Sequence, residues 1–133
     1  MPYTLSWYVE DAVIIIKVTG SFPMTEICNA VEEVSLLIQQ SDRESVHILA
    51  DLTDISQTPK SVRLIASEVK KLYDNTRIGW TIAYGIKNSV VNIVASIVTQ
   101  ILSHQYITTS EEEAIAFLQN KDEDLRPLLK DYT

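Results

Sequence analysis

The alternation of strand-like and helix-like segments constrains the fold of this chain more than any other feature of its sequence. Tyr3–Val9 alternates apolar and polar residues, Ala12–Val18 is nearly all β-branched, and Gly20 ends the second run, which predicts a hairpin. Helical patterns and short apolar runs then follow one another. Strands joined by helices indicate crossover connections. The sequence therefore predicts a single α/β domain with a mixed, mostly parallel sheet of about five strands, in the order ββαβαβαβα, flanked by helices.

Helix start signals separate the predicted strands. Pro23 opens the first helix, and Ser110 forms a capping box with Glu113 at the start of the last one. Thr58 followed by Pro59 is typical of an N-cap and a first helical residue. The other predicted bounds are the end of the first helix near Gln40, strands at Val46–Leu52, Ile78–Ile86 and Gln105–Thr108, and a helix capped by Asn88 that runs from Ser89 to about His104.

The length of 133 residues fits one domain and leaves little room for a second. We expect residues 1–120 to form this domain. Residues 121–133 are acidic, and we expect them to be a loosely packed C-terminal tail with a helical turn around Leu125–Leu129.

The formal net charge of −7 argues against two kinds of partner. Nucleic acid and anionic membrane surfaces both attract basic proteins, so neither is expected here. The most apolar stretch, Val90–Leu102, is too short to cross a bilayer, and the N-terminus lacks the pattern of a secretion signal. We therefore expect a cytoplasmic protein without membrane insertion.

Residues for common catalytic or cofactor sites are missing from the sequence. The three glycines are too dispersed to form a phosphate-binding loop. His47 and His104 do not have metal-ligand spacing. His47 lies in a predicted strand, and a histidine in a strand is more often a packed or exposed residue than a catalytic base. The single cysteine, Cys28, follows a core position of the first helix. The sequence predicts a non-enzymatic protein with no catalytic residue, no metal and no cofactor.

The segment after the third predicted strand is the candidate partner surface. In open α/β sheets, ligands bind beyond the carboxyl ends of the strands. Asp and Thr also end strands and build turns, so each residue alone has an ordinary structural explanation. The functional interpretation applies to the segment as a unit. The predicted partner-binding residues are Asp51, Thr53, Asp54, Thr58, Lys60 and Ser61.

The predicted helix that starts at Ser89 has only a narrow polar strip, which contains no charge. A surface helix usually has a broad polar face, and a large exposed apolar patch marks an interaction site. A two-fold homodimer is the commonest way to cover such a patch. A neighbouring helix, the C-terminal tail or a small apolar ligand beneath the helix are the alternatives. The predicted dimer interface comprises Val90, Val91, Val94, Val98 and Ile101.

Three blocks of the sequence, taken in order, resemble the STAS-like domains, the sulfate-transporter and anti-sigma-factor-antagonist group. Trp7–Gly20 is a hairpin ending in glycine, Val46–Thr53 is an apolar strand followed by Asp-Leu-Thr, and Thr109–Leu118 contains Glu-Glu-Ala-x-x-Phe-Leu. The resemblance spans roughly residues 3–120. Within this group, the blocks are most similar to bacterial stand-alone relatives of poorly defined function. It implies a mixed sheet flanked by helices and protein–protein interaction in partner-switching signalling.

One motif of the anti-sigma antagonists is missing. In those relatives the Asp-Leu-Ser block leads to Asp-Ser-x-Gly, whose serine is phosphorylated at a helix start. That serine position falls on Lys60 here, with Thr58 and Ser61 as neighbours. We therefore expect interaction without this phosphorylation switch. Some relatives are also similar to lipid-binding CRAL-TRIO-like domains, which makes binding of a small apolar or lipid-like ligand the alternative function.

Overall fold

The computed structural model describes residues 2–129, and within this range the chain forms five strands and five helices. In chain order the elements are β1 (Tyr3–Val9), β2 (Val13–Ser21), α1 (Met24–Gln39), β3 (Val46–Gln57), α2 (Val62–Asn75), β4 (Ile78–Tyr84), α3 (Ser89–Ile101), β5 (Gln105–Thr108), α4 (Glu111–Lys121) and α5 (Leu125–Leu129).

The strands form one sheet in the order β1-β2-β3-β4-β5. The edge strand β1 is antiparallel to β2, and β2 to β5 are parallel. Crossovers between parallel strands are almost always right-handed, so connections that advance in one direction place their helices on one face. The mixed, mostly parallel sheet and the order ββαβαβαβα predicted from the sequence are confirmed.

The core lies on both faces of the sheet. On one face, alternate residues of β2 such as Ile14 and Ile16 pack with α1, α2 and α3. On the other face, Val13 and Ile15 pack with α4 and α5. A strand covered on both sides is apolar throughout instead of alternating. This explains why residues 13–16 form an uninterrupted β-branched run.

Strand β3 is five residues longer than the sequence predicts, because it ends at Gln57 and not at Leu52. The end of β2 pairs with this extension, with Thr19 opposite Asp54 and Gly20 opposite Ile55. Hydrogen bonds between β2 and β3 thus keep the Asp-Leu-Thr-Asp sequence in a strand, although these residues locally favour a turn.

The predicted cap of α2 is wrong. Thr58 and Pro59 precede the helix, and Ser61 is the N-cap, with its hydroxyl accepting from the Leu64 backbone N–H at 3.4 Å. The longer β3 shifts the helix start along the chain by three residues. Asn88 and Ser110 are N-caps as predicted.

The described part of the C-terminal tail is more tightly packed than expected. Helix α5 begins at Leu125, which is fully buried with Ile115 and Leu118 of α4. The Arg126 side chain donates to the Gln119 carbonyl at 3.0 Å. The rest of the predicted tail, residues 130–133, lies outside the described residues.

Within residues 2–129, no helix combines the length and apolar character that crossing a bilayer requires.

Candidate interaction surfaces

Two of the predicted partner-binding residues contact each other at the carboxyl edge of the sheet. The Asp51 carboxylate accepts from the Thr53 backbone N–H at 3.0 Å and from the Thr53 hydroxyl at 2.7 Å. A Cβ at Gly85 would meet the Thr53 hydroxyl, so glycine allows β3 and the end of β4 to approach. Thr53 and Gly85 line a depression of about 410 Å³ that Lys87 and Thr108 also border.

The other four predicted residues have different environments. Asp54, Lys60 and Ser61 are exposed, as a partner surface requires. Thr58 is half-buried and borders an apolar space between the sheet and the helices. Its side chain is thus less accessible to a partner than those of Asp54, Lys60 and Ser61. The six residues do not form one hydrogen-bonded cluster among the contacts of the described chain.

Helix α3 has two apolar faces, and the inner one holds three of the residues assigned to the dimer interface. Val91, Val94 and Val98 are 3%, 8% and 6% exposed, because they pack into the core beneath the helix. Their assignment to an exposed surface is corrected. Val90 and Ile101, the other two, are exposed.

The outer face of α3 is an apolar stripe, and the interface predicted from the sequence contains only two of its four residues. We call Val90, Ile93, Ile97 and Ile101 the α3 stripe; they are 51%, 60%, 38% and 55% exposed. Their spacing of three and four residues places them on one side of a helix. Because both faces of α3 are apolar, periodicity alone could not show which one faces the sheet.

Asn88 caps α3 and links its first turn to β3. Its side-chain oxygen accepts from the backbone N–H groups of Val90 and Val91, at 3.0 and 3.1 Å. Its side-chain nitrogen donates to the Ser56 carbonyl of β3 at 2.9 Å. This bridge holds the first turn of α3 beside the end of β3, so the α3 stripe begins close to the exposed residues of the carboxyl edge.

At the opposite end of the parallel strands, where β3 begins, buried His47 joins three segments of the chain. The Trp80 backbone N–H donates to Nδ1 at 2.8 Å, so Nδ1 carries no proton. The proton is therefore on Nε2, which donates to an Asp122 carboxylate oxygen at 2.9 Å. Burial lowers the pKa of His47 below its usual 6.5, although the Asp122 charge acts in the opposite direction.

This arrangement makes His47 a structural residue. Both ring nitrogens already have partners, so the ring cannot take a proton from a substrate without losing the Trp80 contact. A depression of about 670 Å³ lies beside it, and Arg43 and Lys121 also border this space. Across residues 2–129, no three His, Cys, Asp or Glu side chains are grouped so that they could hold a metal ion.

The five-stranded mixed sheet, with three helices on one face and two on the other, is a STAS-like fold. Among solved structures, the chain is similar to the anti-sigma factor antagonist SpoIIAA in its unphosphorylated form, with a TM-score of 0.56, 17% identity and coverage of 88% of this chain and 97% of that one. For the phosphorylated form of SpoIIAA, a Bacillus cell fate determinant, these values are 0.57, 16%, 87% and 98%.

A third similar structure is an uncharacterized DUF3478 protein with a SpoIIAA-like fold from Shewanella loihica. Its TM-score is 0.60 at 8% identity, covering 87% of this chain and 91% of that one. No protein-family model and no curated protein sequence matches the chain. The similarity predicted from the three sequence blocks is thus confirmed as similarity of fold.

Proposed function

We propose that this chain is a non-enzymatic protein-interaction module of the partner-switching type. The α3 stripe is the observation that carries the proposal. Four large aliphatic side chains are 38% to 60% exposed on a helix that has no charged residue. Exposing such a surface to water is unfavourable, and proteins use surfaces of this kind as binding sites.

The proposed binding surface has two parts. The α3 stripe supports self-association into a homodimer, for which a two-fold arrangement is the commonest geometry. The carboxyl edge, with exposed Asp54, Lys60 and Ser61, supports contact with a different protein. The hydrogen bond between Asn88 and Ser56 brings these two parts close together. One partner is therefore able to contact both, which is a way of coupling partner binding to self-association.

We propose that partner binding does not depend on phosphorylation of the kind implied by the anti-sigma antagonists. By the count from Asp51, the position of their phosphorylated serine falls on Lys60, and Ser61 uses its hydroxyl to cap α2. Phosphate at Ser61 would still be favoured by the N–H groups at the helix start. Stoichiometric phosphorylation of Ser61 or Thr58 in cells, measured by mass spectrometry, would contradict this part of the proposal.

The hydrogen bonds of His47 support the non-enzymatic part of the proposal. A general base needs a ring nitrogen within reach of a substrate proton, and both nitrogens of this buried histidine are hydrogen-bonded within the protein. The anti-sigma factor antagonist SpoIIAA, to which the fold is similar, supports an interaction role.

Affinity capture with a charge-inverted variant tests the partner surface. We expect Asp54→Lys combined with Lys60→Glu to reduce capture of the specific partner at least tenfold, while net charge stays constant. Both side chains are exposed, so the fold is retained. Partners are identified by quantitative mass spectrometry and then remeasured with the purified protein.

The matched control combines Glu10→Lys with Lys70→Glu, which inverts two exposed charges elsewhere on the chain. It should capture the same partner as the wild type. Unchanged capture by the carboxyl-edge variant, together with loss in the control, would show that the partner surface lies elsewhere.

A further inference from the structure

An apolar pocket, partly open to solvent, lies between the sheet and the helices α2 and α3, and we call it the α2–α3 cavity. Its volume is about 180 Å³. Ala50 of β3 and Ala83 of β4 are paired in register and line the cavity, and Ala95 of α3 also lines it. Each of these alanines is half-buried. Three short side chains on three elements thus border the space that larger apolar residues would fill.

The side chains around the cavity define which molecules it is able to hold. Leu52, Ile55 and Val69 are typical of the lining, which includes no charged residue. Its polar side chains are Thr58, Thr99 and Gln105, and the Thr99 hydroxyl already donates to the Ala95 carbonyl at 2.8 Å. A charged group would lose its hydration here without compensation. Water inside it has few polar partners among the lining side chains, so an apolar ligand displaces it at little cost.

We infer that this cavity is a binding site for one small, neutral, apolar molecule, the size of a single aromatic ring or a short alkyl chain. An apolar cavity of about 150 Å³ accepts benzene, which sets the size of ligand that a space of this volume holds. The three alanine side chains lack dispersion contacts on the side that faces the pocket, and such a ligand would supply them. The site uses inward-facing side chains and does not depend on the surface proposed for protein partners.

Toluene is the probe for this site, and benzoate is its charged counterpart of similar size. We expect toluene at five times its dissociation constant to raise Tm by about 2–4 °C, because it binds the folded chain only. Benzoate at the same concentration should not raise Tm. In ¹H–¹⁵N NMR spectra, the toluene-induced shifts should concentrate at the amides of Ala50, Ala83 and Ala95.

Two cavity-filling variants locate the site. Ala95→Leu and Ala83→Leu should each weaken toluene binding at least tenfold, whereas Ala116→Leu, at an exposed position of α4, should bind like the wild type. If one filling variant does not fold, the other decides. The inference is overturned if toluene does not raise Tm of the wild type, if the NMR shifts fall elsewhere, or if the filling variants bind toluene as well as the wild type does.

Discussion

His47 connects residues that are far apart in the sequence. It is hydrogen-bonded to Trp80, 33 positions away, and to Asp122, 75 positions away. A Cβ at Gly79 would overlap its imidazole ring, so the neighbouring strand needs glycine there. The sequence allowed a packed histidine in this strand. It did not identify the partners, because neither lies at a spacing that local patterns report.

The lowered pKa of His47 predicts a pH-dependent stability. The unfolded chain binds the proton near pH 6.5, while the folded chain does so only at lower pH. This contribution is fully present above pH 6.5, and it decreases as pH falls toward the folded pKa, by up to about 1.4 kcal/mol per pH unit. Urea unfolding between pH 7.5 and 5 should show this decrease.

Substitution of each histidine separates this effect from other titrations. We expect His47→Gln to lower the free energy of unfolding by about 1–3 kcal/mol at pH 7.5 and to reduce the pH slope. The control, His104→Asn, alters the exposed histidine and suits its positive φ. It should retain the wild-type slope. An equal slope in His47→Gln would refute the assignment to this histidine.

At the scale of elements, local signals predicted where most helices begin, but long-range pairing set the ends of β3 and α2. Asn88 and Ser110 are caps as predicted because the capping contact lies within three residues. The choice of Ser61 over Thr58 depends instead on the pairing of β3 with the end of β2. The sequence could not reveal this because that pairing joins segments more than 30 residues apart.

Burial of α5 leads to a prediction for Leu125 and Leu128, two of its three leucines. Leu125 is fully buried against α4, whereas Leu128 is 43% exposed. We expect Leu125→Ala to lower the free energy of unfolding by about 2–4 kcal/mol, through lost apolar contact and the cavity left behind. The control Leu128→Ala should cost less than about 1 kcal/mol. Equal values in chemical denaturation would mean that α5 does not dock in solution.

For the whole molecule, the hydrophobic periodicity of the sequence was sufficient to predict the fold but not to predict the binding surfaces. The similar solved structures share the architecture at 8–17% identity, so the sheet tolerates many core sequences. Exposed positions have no such periodic constraint. The apolar character of α3 indicated an interaction surface, but Ile93 and Ile97 lie on its outer face because the opposite face packs into the core.

The most direct test of the account is the oligomeric state of the chain, measured by sedimentation velocity at micromolar concentration. We expect a concentration-dependent dimer that Ile93→Lys weakens at least a hundredfold, because a lysine in the α3 stripe would be buried without a partner. The control Leu36→Lys changes a similarly exposed aliphatic residue on α1 and should leave the dimer intact. A wild-type chain that sediments as a monomer at this concentration, or a dimer that Ile93→Lys does not weaken, would contradict the proposed role of the α3 stripe.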